Sequence, residues 1–120
     1  MKKTTLVLGA SMNTSRYSNS AIKRLRNKNI EVFAVGRNKG MVLDVPIEVE
    51  MIDVENTHTI TMYLNPQKQT EYYNYIIGLK PKRVIFNPGT ENEELISLLK
   101  ENKIESEIAC TLVLLSTNQY

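Results

Sequence analysis

The sequence TTLVLGASMNTSRYS, residues 4–18, decides the fold of this chain. Its apolar run Leu6-Val7-Leu8 has the composition of a strand that is covered on both faces, as parallel strands are in α/β proteins. Gly9 and Ala10 follow with almost no side chain, and polar N-cap residues then predict a helix that begins near Ser18 or Asn19. The stretch therefore predicts a buried strand, a loop of small residues and a helix, in that order.

The loop between this strand and this helix suits an anion. A helix N-terminus presents unpaired N–H groups and the positive end of its dipole, and Arg16 adds a full positive charge. The loop has neither the G-x-G-x-x-G spacing of dinucleotide enzymes nor the G-x-x-x-x-G-K-[ST] of nucleotide triphosphatases. We therefore predict a phosphate-binding loop of another kind, and the alternative is a turn that uses Gly, Ser and Asn only for its backbone conformation.

Composition limits the classes of protein to which the chain could belong. At 120 residues it fits one domain, residues 1–120, and a hydrophobic fraction of 42% with mixed charges is typical of a globular protein. The net charge of +2 and the scattered basic residues give no footprint for nucleic acid, which is not expected as a partner.

Targeting signals are also not expected. The apolar run Leu6 to Leu8 is shorter than the roughly 7 to 15 apolar residues of a signal peptide, and no run reaches the roughly 18 residues of a membrane span. The single cysteine, Cys110, cannot form an internal disulfide. We expect a cytoplasmic protein that does not enter a membrane.

The remaining strands and helices follow from periodicity and from turn residues. After the first strand, five more are predicted at Ile30–Val35, Ile47–Met51, Thr59–Leu64, Lys82–Phe86 and Ile104–Ala109, and Asn38 to Val45 is predicted as a loop before an edge strand. Helices are predicted over Gln67–Ile77 with Gly78 as C-terminal cap, over Glu91–Glu101 with a Thr90/Glu93 capping box, and over Leu112–Leu115 with Thr111 as cap.

This order of elements predicts a Rossmann-like three-layer α/β sandwich. Right-handed crossovers give a mainly parallel sheet of about six strands in the order 3-2-1-4-5-6, with helices on both faces. Ligands bind such sheets in the crevice outside the carboxyl ends of the first and fourth strands. Three segments are predicted to meet there: Gly9 to Tyr17, Gly36-Arg37 and Leu64-Asn65-Pro66.

Arg37 bears on the kind of nucleotide. In nicotinamide-binding folds an acidic residue near this position binds the adenosine ribose, whereas this chain has an arginine after Gly36. The arginine favours a phosphorylated ribose, as in CoA or NADP. A solvated loop arginine without a ligand is the alternative.

Four segments of the sequence resemble the small single-domain CoA-binding proteins, which are related to the CoA-binding domain of the succinyl-CoA synthetase alpha subunit. The segments are VLGASMNTSRYSNSAIKRL (7–25), VFAVG (32–36), ITMYLNPQ (60–67) and RVIFNPGTENEEL (83–95). The resemblance covers nearly the whole chain and implies coenzyme A as the ligand. The family usually has Asn-Pro where this chain has Gly36-Arg37.

By that resemblance, two parts of the crevice would hold CoA. Gly9, Ser11, Asn13 and Arg16 would bind the diphosphate, within a loop that also includes Ala10 and Tyr17. The Leu64-Asn65-Pro66 turn would lie against the adenine or the start of the pantetheine arm.

The sequence contains no recognisable constellation of catalytic or metal-binding groups. The synthetase relatives use a phosphohistidine, but His58 precedes the fourth strand and is predicted at the amino end of the sheet, away from the crevice. Cys110 ends the last strand, where burial is the simpler role and exchange with the thiol of CoA the alternative. Asp44 and Asp53 have no visible partner carboxylate or histidine for a metal.

We interpret the chain as a CoA-binding or acyl-CoA-binding module without catalysis of its own, serving as a carrier, sensor or partner subunit. Two alternatives stay open: an NADP-dependent enzyme, and a protein-interaction module that kept the fold without a nucleotide. We also predict self-association, because the segment Ile47 to Met51 and the tyrosine-rich helix leave apolar surface that a chain of this size does not cover.

Overall fold

Seven strands form one sheet in the computed structural model, which describes residues 2–120. They are β1 (Thr5–Ala10), β2 (Val32–Gly36), β3 (Gly40–Val42), β4 (Val45–Glu48), β5 (Thr59–Met62), β6 (Arg83–Phe86) and β7 (Glu105–Ile108). Their order is β3-β4-β2-β1-β5-β6-β7. All neighbours pair in parallel except β3 with β4.

The position of β1 explains its composition. β1 lies between β2 and β5, and its residues Leu6, Val7 and Leu8 are fully buried because helices cover both faces of the sheet. The predicted parallel α/β sheet is therefore confirmed, and the six predicted strands keep their order. The chain reverses direction between β1 and β5, as expected.

One prediction about the edge of the sheet is wrong. The segment Asn38 to Val45, predicted as a loop, contains β3 and the turn of a tight β3–β4 hairpin. The predicted edge strand Ile47–Met51 corresponds to β4, which begins earlier and lies one place in from the edge. Because β3 has only three residues, its composition carries too little periodicity to mark a strand.

Helices cover both faces of the sheet. They are α1 (Tyr17–Asn27), α2 (Pro66–Gln69), α3 (Tyr73–Leu79), α4 (Glu93–Glu101) and α5 (Thr111–Ser116), with a 3₁₀ turn over Thr70–Tyr72. Ile22 and Leu25 of α1 pack with Leu115 of α5 on one face. Ile76 of α3 packs with Leu95 and Leu99 of α4 on the other, which completes the three layers.

Several predicted helix ends are corrected. The helix predicted over Gln67–Ile77 is interrupted by the 3₁₀ turn, and Gly78 lies inside α3, which Lys80 terminates in the left-handed conformation at φ +50°. Asn92, not Thr90, caps α4, because its Oδ1 accepts a hydrogen bond from the Leu95 N–H at 3.2 Å. Thr111 is the first residue of α5 rather than its cap.

The first helix also begins earlier than predicted. Arg16 is the N-cap of α1, and its side chain makes no capping hydrogen bond. Ser18 and Asn19, which were predicted to begin the helix, are buried within its first turn. Within residues 2–120 no helix is long and apolar enough to cross a bilayer.

Candidate functional site

The carboxyl end of β1 meets the carboxyl end of β5 at Gly9. Gly9 has φ +97°, and a Cβ placed there would stand 2.9 Å from the carbonyl carbon of Tyr63. The Tyr63 N–H in turn donates to the Leu8 carbonyl at 2.8 Å. Glycine is therefore required at position 9 both for its conformation and for the close approach of the two chain segments.

A second close approach joins β1 to β2. A Cβ on Gly36 would stand 2.2 Å from the Ala10 carbonyl oxygen, and the β1–β2 register shifts between Leu8 and Ala10. Gly9 and Gly36 thus let three strands end side by side. This brings together the starts of the three segments that the sequence predicted to meet.

The loop that follows β1 is ordered by its own polar groups. Asn13 Oδ1 accepts hydrogen bonds from the Ser15 N–H at 3.0 Å and from the Ser15 hydroxyl at 2.7 Å. Ser11 Oγ accepts from the Asn13 N–H at 3.0 Å, and the Ser11 carbonyl accepts from the buried Asn19 amide at 3.0 Å. The loop is therefore preorganised, although residues 12–17 are exposed.

The segments that follow β1 and β2 carry positive charge, whereas the neighbouring parallel strand β4 ends at Glu48 and is followed by Glu50. No Asp or Glu occurs between Gly9 and Tyr17 or between Gly36 and Met41, whereas Arg16 and Arg37 are exposed in these segments. The first turn of α1 also has no acidic residue to offset its dipole. The local charge beside the ends of β1 and β2 therefore favours an anionic ligand near the loop that follows β1.

The turn that follows β5 is fixed by a cap and by a buried glutamine. Asn65 Oδ1 accepts from the Lys68 N–H at 2.9 Å, and Pro66 opens α2. The fully buried Gln69 donates from Nε2 to the Leu64 carbonyl and to the Thr90 carbonyl, both at 2.8 Å. Gln69 therefore fixes the turn after β5 relative to Thr90, in the turn after β6.

Gln69 belongs to a polar network that sequence reasoning missed. Its Oε1 accepts from the Asn92 Nδ2 at 2.9 Å, so its side-chain amide is bonded at both ends. A second buried amide, Asn87, donates to the Thr61 hydroxyl at 2.7 Å and accepts from the Thr111 N–H at 2.8 Å. Gln69 thus connects the segments that follow β5 and β6, and Asn87 connects the end of β6 to β5 and to the start of α5.

Tyr63, which directly follows β5, has a buried hydroxyl without a hydrogen-bond partner among residues 2–120. The hydroxyl is buried near those of Thr61 and Thr111 but makes no hydrogen bond of ordinary geometry with the residues that the structure describes. Burial raises the pKa of Tyr63 to about 12. The phenol is therefore neutral at physiological pH and is unsuited to act as a base.

His58 and Asp44 lie away from this site. His58 immediately precedes β5, at the amino end of the sheet, as predicted. Asp44 forms a bidentate ion pair with Arg26, with N–O distances of 2.8 and 2.9 Å. Among residues 2–120 no three His, Cys, Asp or Glu side chains form a metal-binding cluster.

Two surface cavities lie apart from the crevice. One is lined by residues such as Lys3, Lys28 and Glu31, and the other by residues such as His58, Lys82 and Lys103. Both lie at the amino ends of the strands. Neither cavity therefore includes the residues of the candidate site.

Comparison with known proteins gives a family and a fold. Residues 3–116 match the family model described as CoA binding domain. The crystal structure of an uncharacterized protein is 52% identical with a TM-score of 0.96, and the match covers 100% of this chain and 99% of the other. No curated protein matches the chain.

Two further solved structures have the same fold. A protein from Thermus thermophilus is 21% identical with a TM-score of 0.87, and the match covers 99% of this chain and 91% of the other. A conserved hypothetical protein from Pyrococcus furiosus is 26% identical with a TM-score of 0.80, and the match covers 94% of this chain and 98% of the other.

Proposed function

This chain belongs to the CoA-binding domain family, and we propose that it binds coenzyme A or an acyl-CoA at the carboxyl ends of β1 and β5. It acts there without catalysis of its own, as a carrier, sensor or partner subunit. The proposed position of the CoA site is supported by the close contacts at Gly9 and Gly36, where three strands end beside a loop without acidic residues.

The diphosphate of CoA fits the loop after β1. Gly9, Ala10 and Ser11 offer backbone with little side chain, Asn13 holds the turn, and Arg16 supplies a charge that forms a strong hydrogen bond to an anionic oxygen. Tyr17 opens the helix whose dipole faces the same region. The supporting feature is preorganisation, since the loop is hydrogen-bonded without a ligand.

The two flanking segments have separate roles in this proposal. Gly36 turns the chain and Arg37 reads the ribose phosphate, which CoA carries and dephospho-CoA lacks. Leu64, Asn65 and Pro66 lie against the adenine or the start of the pantetheine arm, held by the Gln69 hydrogen bonds. A reducing cytoplasm suits both the thiol of CoA and the free Cys110.

Arg37 also supports a second candidate, an enzyme that uses NADP, because NADP carries a ribose phosphate as well. The loop after β1 favours CoA, since it lacks the second and third glycines that bring a backbone close to an extended pyrophosphate. A protein-interaction module without a nucleotide is the third candidate.

Native mass spectrometry of the protein purified without added ligand tests the proposal. We expect a retained mass that corresponds to CoA or to an acyl-CoA, and the acyl mass would identify the physiological form. Retention of NADP would favour the second candidate. A ligand-free protein that also fails to take up added CoA would contradict the proposal.

A further inference from the structure

The free edge of β3 carries an unusual concentration of exposed apolar side chains. Eight large apolar side chains are exposed within residues 2–120. Three of these lie in the β3–β4 hairpin or against it, Met12, Met41 and Leu43, and a fourth, Val49, directly follows β4. Apolar surface that is concentrated along one edge indicates an interaction site rather than scattered exposure.

The hydrogen-bonding pattern of the β3–β4 hairpin directs the backbone N–H and C=O of one β3 residue toward the free edge. Val42 and Val45 close a two-residue turn, so they form a hydrogen-bonded pair, and Met41 opposite Pro46 forms the next, non-hydrogen-bonded pair. Proline at 46 fits this assignment because it has no N–H. The N–H and C=O of Met41 therefore point away from β4, toward the outside of the sheet.

At the β3 edge, Met12 lies on one face of the sheet and Met41 lies on the other. A Cβ on Gly40 would stand 2.4 Å from Met12 Sδ, and Gly40 pairs with Ile47, which packs under α1. Met12 thus lies on the α1 face. Met41 alternates with Gly40 and lies on the opposite face, beside the exposed Pro46.

We propose that β3 pairs antiparallel with β3 of a second copy of this chain, with Met41 opposite Met41 on the two-fold axis. In this register the two Met41 residues exchange their outward N–H and C=O groups, and Gly40 lies opposite Val42 of the second copy. The two sheets become one continuous sheet of 14 strands, twice the seven of one chain. The interface is isologous, and Met41, which lies on the two-fold axis, meets its equivalent in the second copy.

Charge complementarity supports a second copy as the partner. Lys39 precedes β3, and Asp44, which pairs with Arg26 of the same chain and whose side chain is 66% exposed, follows it. An antiparallel arrangement places Lys39 of each copy near the exposed Asp44 of the other, where the Asp44 carboxylate can accept from a second cation beside Arg26. Favourable charge pairing of this kind fixes register and orientation.

The other edge of the sheet is protected against the same pairing. β7 has the sequence Glu105-Ser106-Glu107-Ile108. Antiparallel self-pairing centred on Ser106 would put Glu105 opposite Glu107 of the second copy, and like charges directly opposite destabilise a sheet. The charge pattern therefore favours β3 over β7 as the strand that pairs with a second copy. The sequence predicted self-association through the β4 segment and the tyrosine-rich helix, and the proposed interface lies at β3 instead.

Sedimentation velocity across the micromolar range tests this interface. We expect a dimer for the wild type, and we expect Met41→Lys to weaken dimerisation by about fivefold or more, because two ammonium groups would meet on the axis. Met41→Pro removes the outward N–H without breaking a bond to β4, and it should have the same effect. The matched control is Val113→Lys, on the exposed face of α5, which should remain a dimer.

Circular dichroism confirms that each variant is folded. A wild-type protein that remains monomeric throughout the range would overturn the proposal. So would a dimer that both Met41 variants leave intact, or one that Val113→Lys dissociates. If Met41→Lys does not fold, Met41→Pro and the wild type still decide the outcome.

Discussion

The α-carbon of Gly36 lies so close to the carbonyl of Ala10 that a Cβ at position 36 would stand 2.2 Å from the carbonyl oxygen. The contact is between backbone atoms of two central strands, which cannot move independently of the sheet. Position 36 therefore has no room for any side chain, and the backbones at the ends of β1 and β2 are in direct contact.

Gly36→Ala is expected to destabilise the protein by about 3 kcal/mol, because relieving the overlap requires a backbone shift. Gly78→Ala is the matched control: a Cβ there meets nothing within 4 Å, and the residue lies inside α3. Alanine at 78 should stabilise the helix by about 0.5 to 1 kcal/mol. Urea denaturation measures both changes, and equal effects of the two substitutions would contradict the packing described at Gly36.

Gln69→Leu is expected to cost about 2 to 4 kcal/mol, since it leaves the Leu64 and Thr90 carbonyls and the Asn92 amide without the partners that Gln69 supplies. Gln67→Leu changes an exposed residue of the same helix and should alter the free energy of unfolding by less than about 0.5 kcal/mol. Thermal denaturation compares them. If the two variants melt together, Gln69 does not connect the two turns.

Stability should fall as the pH is lowered through the range in which histidine titrates. Burial, with the nearby charges of Arg83, Lys3 and Lys82, lowers the pKa of His58 in the folded protein. Its neutral Nδ1 lies 2.8 Å from the Thr59 hydroxyl, which also accepts a hydrogen bond from Arg83 Nε. The unfolded chain therefore binds the proton more readily, and the contribution present above about pH 6.5 is lost below it.

His58→Gln removes this titration. Urea denaturation of the wild type and the variant between about pH 7.5 and pH 5 measures the difference, which should shrink or reverse sign as the pH falls. A difference that stays constant with pH would show that the proton affinity of His58 does not change on folding.

Arg16→Ala tests the proposed diphosphate contact. A charge-assisted hydrogen bond of about 1.5 to 3 kcal/mol predicts CoA binding that is weaker by about tenfold or more. The melting temperature of the free protein should change little, because Arg16 is exposed. Arg24→Ala, at an exposed position near the other end of α1, should bind CoA as the wild type does. Equal affinities of the two variants would remove Arg16 from the site.

The sheet could be predicted from the sequence wherever apolar runs were long enough to carry a pattern. β1 and β2 are such runs, and their order follows from right-handed crossovers. β3 could not be predicted, because three residues carry no measurable alternation. The end of α3 was assigned to Gly78 on residue preference, whereas Lys80 adopts the left-handed conformation that glycine usually supplies.

The candidate site was predictable in part for a topological reason. Residues that directly follow parallel strands meet at one edge, so Gly9, Gly36 and Leu64 could be brought together without coordinates. Gln69 and Asn87 could not be assigned, because their partners are 21 to 26 residues away in sequence or depend on the exact orientation of a turn. No local pattern distinguishes such an amide from a surface one.

Isothermal titration calorimetry with CoA, dephospho-CoA, NADP and NAD tests the central claim most directly. We predict that CoA binds, that dephospho-CoA binds more weakly because Arg37 loses the ribose phosphate, and that NADP and NAD bind little. Arg37→Ala should abolish the difference between CoA and dephospho-CoA while leaving dephospho-CoA affinity unchanged. Binding of NADP without binding of CoA, or no binding of any of the four, would contradict the claim that this site holds coenzyme A.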